Sequence, residues 1–268
     1  MAKMHPPAPH GHFPPPLANM TAVVTGASSG IGAAIAIELA SAGADVLVQA
    51  RRNHEGAEAT AEEIRHRDRQ STVELADISD EEASNALVKS AFAWREQIEI
   101  WVNCAGADVL TGELAEASFA NKLDVLWRTD VRGTMHLSRQ VGSQMRERST
   151  PGATILNIGW DQVEVGMAGD SGEMFTAIKG AVMSFTRSLA KSLAPQVRVN
   201  CLAPGWIKTS WGENASDYWQ QRAQSESLLG RWGTPEDVAR AARFLVSPDA
   251  AFVNGQILCV NGGLGTIG

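Results

Sequence analysis

Tyrosine is almost absent from this chain: Tyr218 is the sole one among 268 residues, against eight tryptophans and seven phenylalanines. Acid–base chemistry that needs a phenolic hydroxyl is therefore confined to one position. Cysteine is scarce too. Cys104, Cys201 and Cys259 are odd in number and sit in apolar or strand-like stretches, which argues against a disulfide framework and for buried free thiols in a reducing, cytoplasmic setting. Residues 1–20 lack the continuous apolar core of a signal peptide or membrane span. With 23 basic and 30 acidic residues the formal charge is −7, and the basic ones are scattered, so neither nucleic acid nor a membrane is expected as a partner.

What is present is enough apolar residue, 44% of the chain, to bury a sizeable core. Residues 1–19 are rich in proline and carry His5, His10 and His12. They are expected to form a flexible arm and no metal site, because no carboxylate or thiolate accompanies the histidines. Residues 20–268 are expected to form one domain. Within it, short apolar stretches at 21–25, 45–50, 71–75, 98–103, 197–202 and 255–260 read as strands, and 154–159 is a further apolar run. Helical patterns at 55–67, 80–95 and 119–148 lie between them. This alternation predicts an α/β fold, a Rossmann-like doubly wound parallel sheet of about seven strands with helices on both faces.

The first strand runs into Thr25-Gly26-Ala27-Ser28-Ser29-Gly30-Ile31-Gly32, after which Ile31, Ile35 and Leu39 recur at helical spacing. Gly26 suits a tight turn, Gly30 the approach of a pyrophosphate, and Gly32 close packing of helix on strand. Free helix N–H groups, flanked by Ser28 and Ser29, would meet the anion. After the second strand comes Gln49-Ala50-Arg51-Arg52 rather than an acidic residue. A guanidinium fork fits a ribose 2′-phosphate, so NADP(H) is expected over NAD(H), held by Arg51 and then Arg52. Asn103, Ala105 and Gly106 stand at the carboxyl end of the fourth strand, where such sheets bind ligands.

Five motifs in register extend the reading: the glycine-rich turn, Asn103-Cys104-Ala105-Gly106, Met174-Phe175-Thr176-Ala177-Ile178-Lys179-Gly180, Pro204-Gly205-Trp206-Ile207-Lys208-Thr209 and Asn261-Gly262-Gly263. Together they resemble the short-chain dehydrogenase/reductase family, in particular its 3-oxoacyl-ACP-reductase-like members, from about Met20 to Gly263. The resemblance implies cofactor contacts at Asp77 and Ile78, at Lys179, and at Pro204, Gly205, Ile207 and Thr209. It also implies a homo-oligomer, a dimer or tetramer, assembled partly through the 119–148 helix.

The resemblance further implies a catalytic tyrosine four residues before Lys179 and a serine after the fifth strand. Phe175 and Trp160 occupy those positions, and Asp130 stands where the family carries an asparagine. Phenylalanine cannot donate a proton, so ordinary carbonyl reduction should be feeble; losing a general acid typically costs about 10²–10⁴ in rate. Lys179, Asp130 and Asp161 are the remaining candidates for acid–base duty, Asp161 because a carboxyl of raised pKa can donate. Two functions stay open: an oxidoreductase acting on an activated C=C, C=N or quinone-like substrate, or a silent member that binds NADP(H) in a structural, sensing or partner-subunit role. Residues 210–232 resemble the family's lid, in which Trp211, Tyr218, Trp219 and Trp232 either line a pocket for an aromatic or extended apolar substrate or pack the lid down.

Overall fold

Short apolar stretches form seven parallel strands in a computed structural model that describes residues 15–263. They are β1 (Thr21–Val24), β2 (Asp45–Ala50), β3 (Ser71–Leu75), β4 (Ile100–Asn103), β5 (Thr154–Ile158), β6 (Arg198–Pro204) and β7 (Ile257–Val260), ordered β3-β2-β1-β4-β5-β6-β7. Every residue of β1, β4 and β5 is buried. Strands covered on both faces read as continuous apolar runs, as these do.

On one face lie α1 (Gly30–Ser41), α2 (His54–Arg65) and α9 (Pro235–Val246), meeting the sheet through Ile35, Leu39, Ile64 and Leu245. The other face carries α3 (Glu81–Trp94), α5 (Thr134–Glu147) and α6 (Asp170–Leu193), packed through Leu87, Leu137, Val141 and Leu189. Helix starts follow capping chemistry: Asn53 accepts from Gly56 N and Asp80 from Ala83 N, while Thr234 and Asp237 form a reciprocal box ahead of Pro235. The chain leaves β1 towards β2 on one side and returns to β4 on the other. This reversal opens a crevice at the carboxyl ends of β1 and β4.

The helical pattern at 119–148 is not one helix. It divides into α4 (Phe119–Leu126), a wide π-helical turn (Trp127–Gly133) and α5. Interior contacts made inside the turn explain the break. Asp130 accepts from Ala107 N at 2.8 Å and pairs with Lys179, and a Cβ on Gly133 would meet the Ile78 carbonyl oxygen at 2.7 Å. Such turns concentrate at functional sites. Residues 210–232 contain α7 (Ser210–Glu213), α8 (Asp217–Glu226) and the segment that follows.

Two expectations need correction. Residues 15–19 belong to the body rather than to a flexible arm, since Leu17 is fully buried and its N–H donates to the Ala42 carbonyl. Residues 1–14, with their three histidines, lie outside the described residues. Cys259 is exposed because β7 is an edge strand, whereas Cys201 is buried and Cys104 partly so; all three thiols are free. Among the described residues no helix is long and apolar enough to cross a membrane, and no cluster of ligating side chains could hold a metal ion.

Candidate active site

The crevice contains a groove of about 650 Å³ lined by the glycine-rich turn and by residues 104–107 after β4. Gly26 makes the floor possible: its φ is +66°, and a Cβ there would lie 2.6 Å from the Ala105 Cα. Gly32 presses the helix onto the turn, since a Cβ would fall 2.2 Å from the Gly26 carbonyl oxygen. Ser29 caps α1 without a side-chain hydrogen bond, and the first turn has no acidic residue. The N–H groups at this end of a 12-residue helix are therefore available to an anion, with Ser28 and Ser29 beside them.

Two side chains fasten the floor to its neighbours. Thr25 Oγ1 accepts from the N–H groups of Cys104 and Ala105, both at 3.1 Å. Gln49 accepts from Gly26 N at 3.1 Å and donates to the Ala76 carbonyl at 2.7 Å. At the far end, Arg51 and Arg52 line the groove with Asp77. Burial alone would raise the pKa of Asp77; hydrogen bonds from Ser79 Oγ and N, aided by the two arginines, hold its carboxyl below the usual range.

Behind Gly106 lies an ion pair. Lys179 Nζ is 2.9 Å from Asp130 Oδ2, and the Asp130 side chain is only 2% exposed. Burial penalises the ammonium, but the carboxylate outweighs that penalty and raises the lysine pKa above its ordinary value. The pairing with Asp130 thus favours the charged form of Lys179 there. Burial also pushes the nearby thiols of Cys104 and Cys201 up to about 12, so neither is a nucleophile.

A second cavity of about 510 Å³ adjoins the groove, sharing Ile31, Leu110, Ile158, Phe175, Thr209 and Trp211 with it. Its walls carry Trp160, Phe175, Trp206, Trp211 and Trp219, with Lys179 the sole ionisable side chain. Trp160 and Phe175 meet edge to face, their centroids 6.1 Å apart. On the opposite side Trp206 and Trp219 lie 5.5 Å apart, and Trp206 Nε1 donates to Glu226 Oε2 at 2.8 Å. Trp232 packs beneath as 7%-exposed core, and Tyr218 stays 63% exposed, resting on Trp219.

Most of the expected binding residues meet here. Gly26, Ser28, Ser29, Gly30, Ile31, Arg51, Arg52, Asp77, Ile78, Ala105 and Gly106 line the groove; Lys179, Pro204, Gly205, Ile207 and Thr209 line the second cavity. Two do not. Asn103 lines neither, because its side chain accepts from Trp101 Nε1 and donates to Ser138 and Asn157 inside the core. Asp161 lines neither as well: its Oδ2 accepts from Asn261 Nδ2 at 3.1 Å, behind Gly205. Its carboxyl is raised to about 6, mainly by burial, and it is not among the residues that line the cavity. Missed by sequence reasoning were Trp206 and Ser171, both on the cavity wall. The spacing of Ser171, Phe175 and Lys179, one helical turn apart on α6, was the available signal for the serine.

Comparison with known proteins agrees with this geometry. A family profile described as enoyl-(acyl carrier protein) reductase matches residues 26–265. The 3-oxoacyl-(acyl-carrier-protein) reductase FabG of Staphylococcus aureus is 32% identical over 249 residues, 91% of this chain and 97% of its own. The short-chain dehydrogenase/reductase FrzI of Cladobotryum sp is 33% identical over 265 residues, 95% of this chain and 99% of its own. A short chain dehydrogenase from Burkholderia cenocepacia, solved in complex with NADP, superposes with a TM-score of 0.82 at 29% identity, covering 92% of this chain and 98% of that one. A 7α-hydroxysteroid dehydrogenase complexed with NADH and 7-oxo glycochenodeoxycholic acid gives 0.83 at 31% identity, with 92% and 95% covered.

Proposed function

Since the chain belongs to the short-chain dehydrogenase/reductase family, we propose that it is an NADP(H)-dependent oxidoreductase whose active site lacks the family's serine and tyrosine hydroxyls. Trp160 and Phe175 stand in their places. One observation carries the reading: a groove fit for a dinucleotide opens directly into a cavity that holds Lys179 but no acid able to release a proton.

The residues fit the cofactor in kind. The α1 N-terminus with Ser28 and Ser29 would take the pyrophosphate, Asp77 and Ile78 the adenine end, and Arg51 with Arg52 a 2′-phosphate. Pro204, Gly205, Ile207 and Thr209 would border the nicotinamide, whose reduced form supplies a hydride, one proton with two electrons. Lys179, its charge balanced by Asp130 at 2.9 Å, would hydrogen-bond the nicotinamide ribose, as the family resemblance implies. Trp160 can donate one hydrogen bond and Ser171 another, but neither delivers a proton as a phenol beside an ammonium does. The substrates that suit such a site are activated C=C, C=N or quinone-like groups on an aromatic or extended apolar frame.

Dinucleotide binding without turnover is the second reading. The packing of Trp160 on Phe175, which fills part of the inner cavity, favours it. Free thiols agree with a cytoplasmic setting, and Phe244, Phe252 and Leu258, exposed on or beside α9 and β7, suit a homo-oligomer that sedimentation would reveal.

The first test is calorimetric titration with NADPH and then NADH. Micromolar NADPH, about −8 kcal/mol, with clearly weaker NADH is the expected result. Absence of binding by both would end the oxidoreductase reading.

A further inference from the structure

Hydride acceptors must be activated, and this cavity supplies no acid to do so. Phe175 and Trp160 have no transferable proton, Asp161 sits behind Gly205, and Lys179 is held charged by Asp130. Activation therefore has to come with the substrate. Reducing a quinone or an enone leaves an anion that must later be protonated. An iminium ion carries its activation as a positive charge, and its reduction ends in a neutral amine.

The walls suit that charge. Trp160, Phe175, Trp206, Trp211 and Trp219 face one cavity without a carboxylate among its lining residues, and ring faces attract a cation within about 6 Å of their centroids. The same rings already hold a cation outside it: the Arg222 guanidinium lies 5.7 Å from the Trp206 centroid and 5.2 Å from that of Trp219. Glu226 pairs with Arg222 at 2.6 Å and balances its charge, as Asp130 balances Lys179.

We propose that the tryptophan-walled cavity binds an organic cation and that the substrate class is the iminium ion. This rests on the oxidoreductase reading above and narrows it. A hydride, one proton with two electrons, passes from the reduced dinucleotide to the iminium carbon, where a C–H bond forms. The C=N π pair becomes the lone pair of a neutral amine, the dinucleotide leaves oxidised, and no proton is drawn from the protein.

The test is calorimetry on the full chain with two probes of equal shape, an N-methyl dihydroisoquinolinium salt and its neutral all-carbon isostere, a methyl dihydronaphthalene. The cation should bind at least about tenfold more tightly. In Trp219→Leu that preference should fall to about twofold while dinucleotide affinity holds, because Trp219 lines only the aromatic cavity. Trp219→Phe, which keeps a ring, should retain most of it, and this milder variant decides the matter if the leucine variant does not fold. Equal binding of the two probes, tighter binding of the neutral one, binding of neither, or a preference untouched in the folded variants would each overturn the proposal. Dinucleotide titration is a separate arm. Its failure alone removes the oxidoreductase reading, whereas the probe pair still decides whether the cavity selects a cation.

Discussion

The two adjoining cavities are built differently. The groove is made by backbone, through positive φ at Gly26, close packing at Gly32 and unpaired N–H groups at the start of α1. The neighbouring cavity is made largely by side chains, among them Trp160 just after β5, Phe175 and Lys179 on α6, Trp206 after β6, and Trp211 and Trp219 of the 210–232 segment. Backbone cradles tolerate almost no added atoms. Side-chain walls can be exchanged while the frame stays, which makes the second cavity the place where chemistry can diverge within a common fold.

The sharpest way to break the contrast is to add atoms to the cradle. Gly32→Val would place its Cβ 2.2 Å from the Gly26 carbonyl, an overlap that only backbone movement can relieve. We expect a loss of about 3–5 kcal/mol in urea unfolding and loss of dinucleotide binding. A variant that unfolded like the wild type would show that the turn is far softer than its packing implies.

Exchange of the wall is the next test. Trp160→Ser with Phe175→Tyr puts a phenol one helical turn from Lys179 and opens volume beside it. Turnover of simple ketones should rise by about 10²-fold or more over the wild type, corresponding to about 3 kcal/mol of barrier. Equal turnover by the unaltered chain would mean that no hydroxyl is missing from the site.

The same division explains what could be read from sequence. Gly26, Gly30, Gly32, Arg51 and Asp77 lie within local motifs whose spacing dictates their conformation, so the groove was legible almost residue by residue. Asn103 misled because a strand end offers two faces. It shares one with Trp101 two residues earlier, and that face looks into the core, where Asn103 bonds Ser138 and Asn157. The cavity depended on positions brought together only by folding: Trp206 after β6, Trp219 on α8 and Ser171 on α6. The division of the 119–148 helix was hidden for the same reason, because its cause is the tertiary pairing of Asp130 with Ala107 and Lys179.

Asp161 sharpens the comparison from behind the cavity. Its pKa is raised to about 6, chiefly by burial and further by Glu226, against the opposing hydrogen bond from Asn261. For an acid whose folded pKa exceeds its unfolded value near 4, the stabilising share is full in acid and is lost as pH rises through 6. At pH 8 the ionised carboxyl costs stability. Asp161→Asn should therefore raise stability at pH 8 by about 1–3 kcal/mol and flatten its dependence between pH 4 and 7. Unfolding midpoints at pH 5 and 8 measure this. Any ketone or imine turnover should survive the change, since Asp161 is not among the residues that line the cavity; its loss would return Asp161 to the reaction.

The smallest expected effect lies at the outer end of the groove, where side chains rather than backbone decide. Arg51 and Arg52 are exposed, and their charges act on Asp77, so a bound 2′-phosphate would compete with that carboxylate for both. An exposed guanidinium–phosphate contact contributes about 1 kcal/mol after screening by water and salt. Arg51→Ala should weaken NADPH by about fivefold to tenfold in calorimetry and leave NADH within twofold. Equal loss for both would mean that Arg51 shapes the groove for either dinucleotide. A loss confined to Arg52→Ala would move the phosphate by one residue and keep the preference, because position along the turn matters less there than a charge at its end.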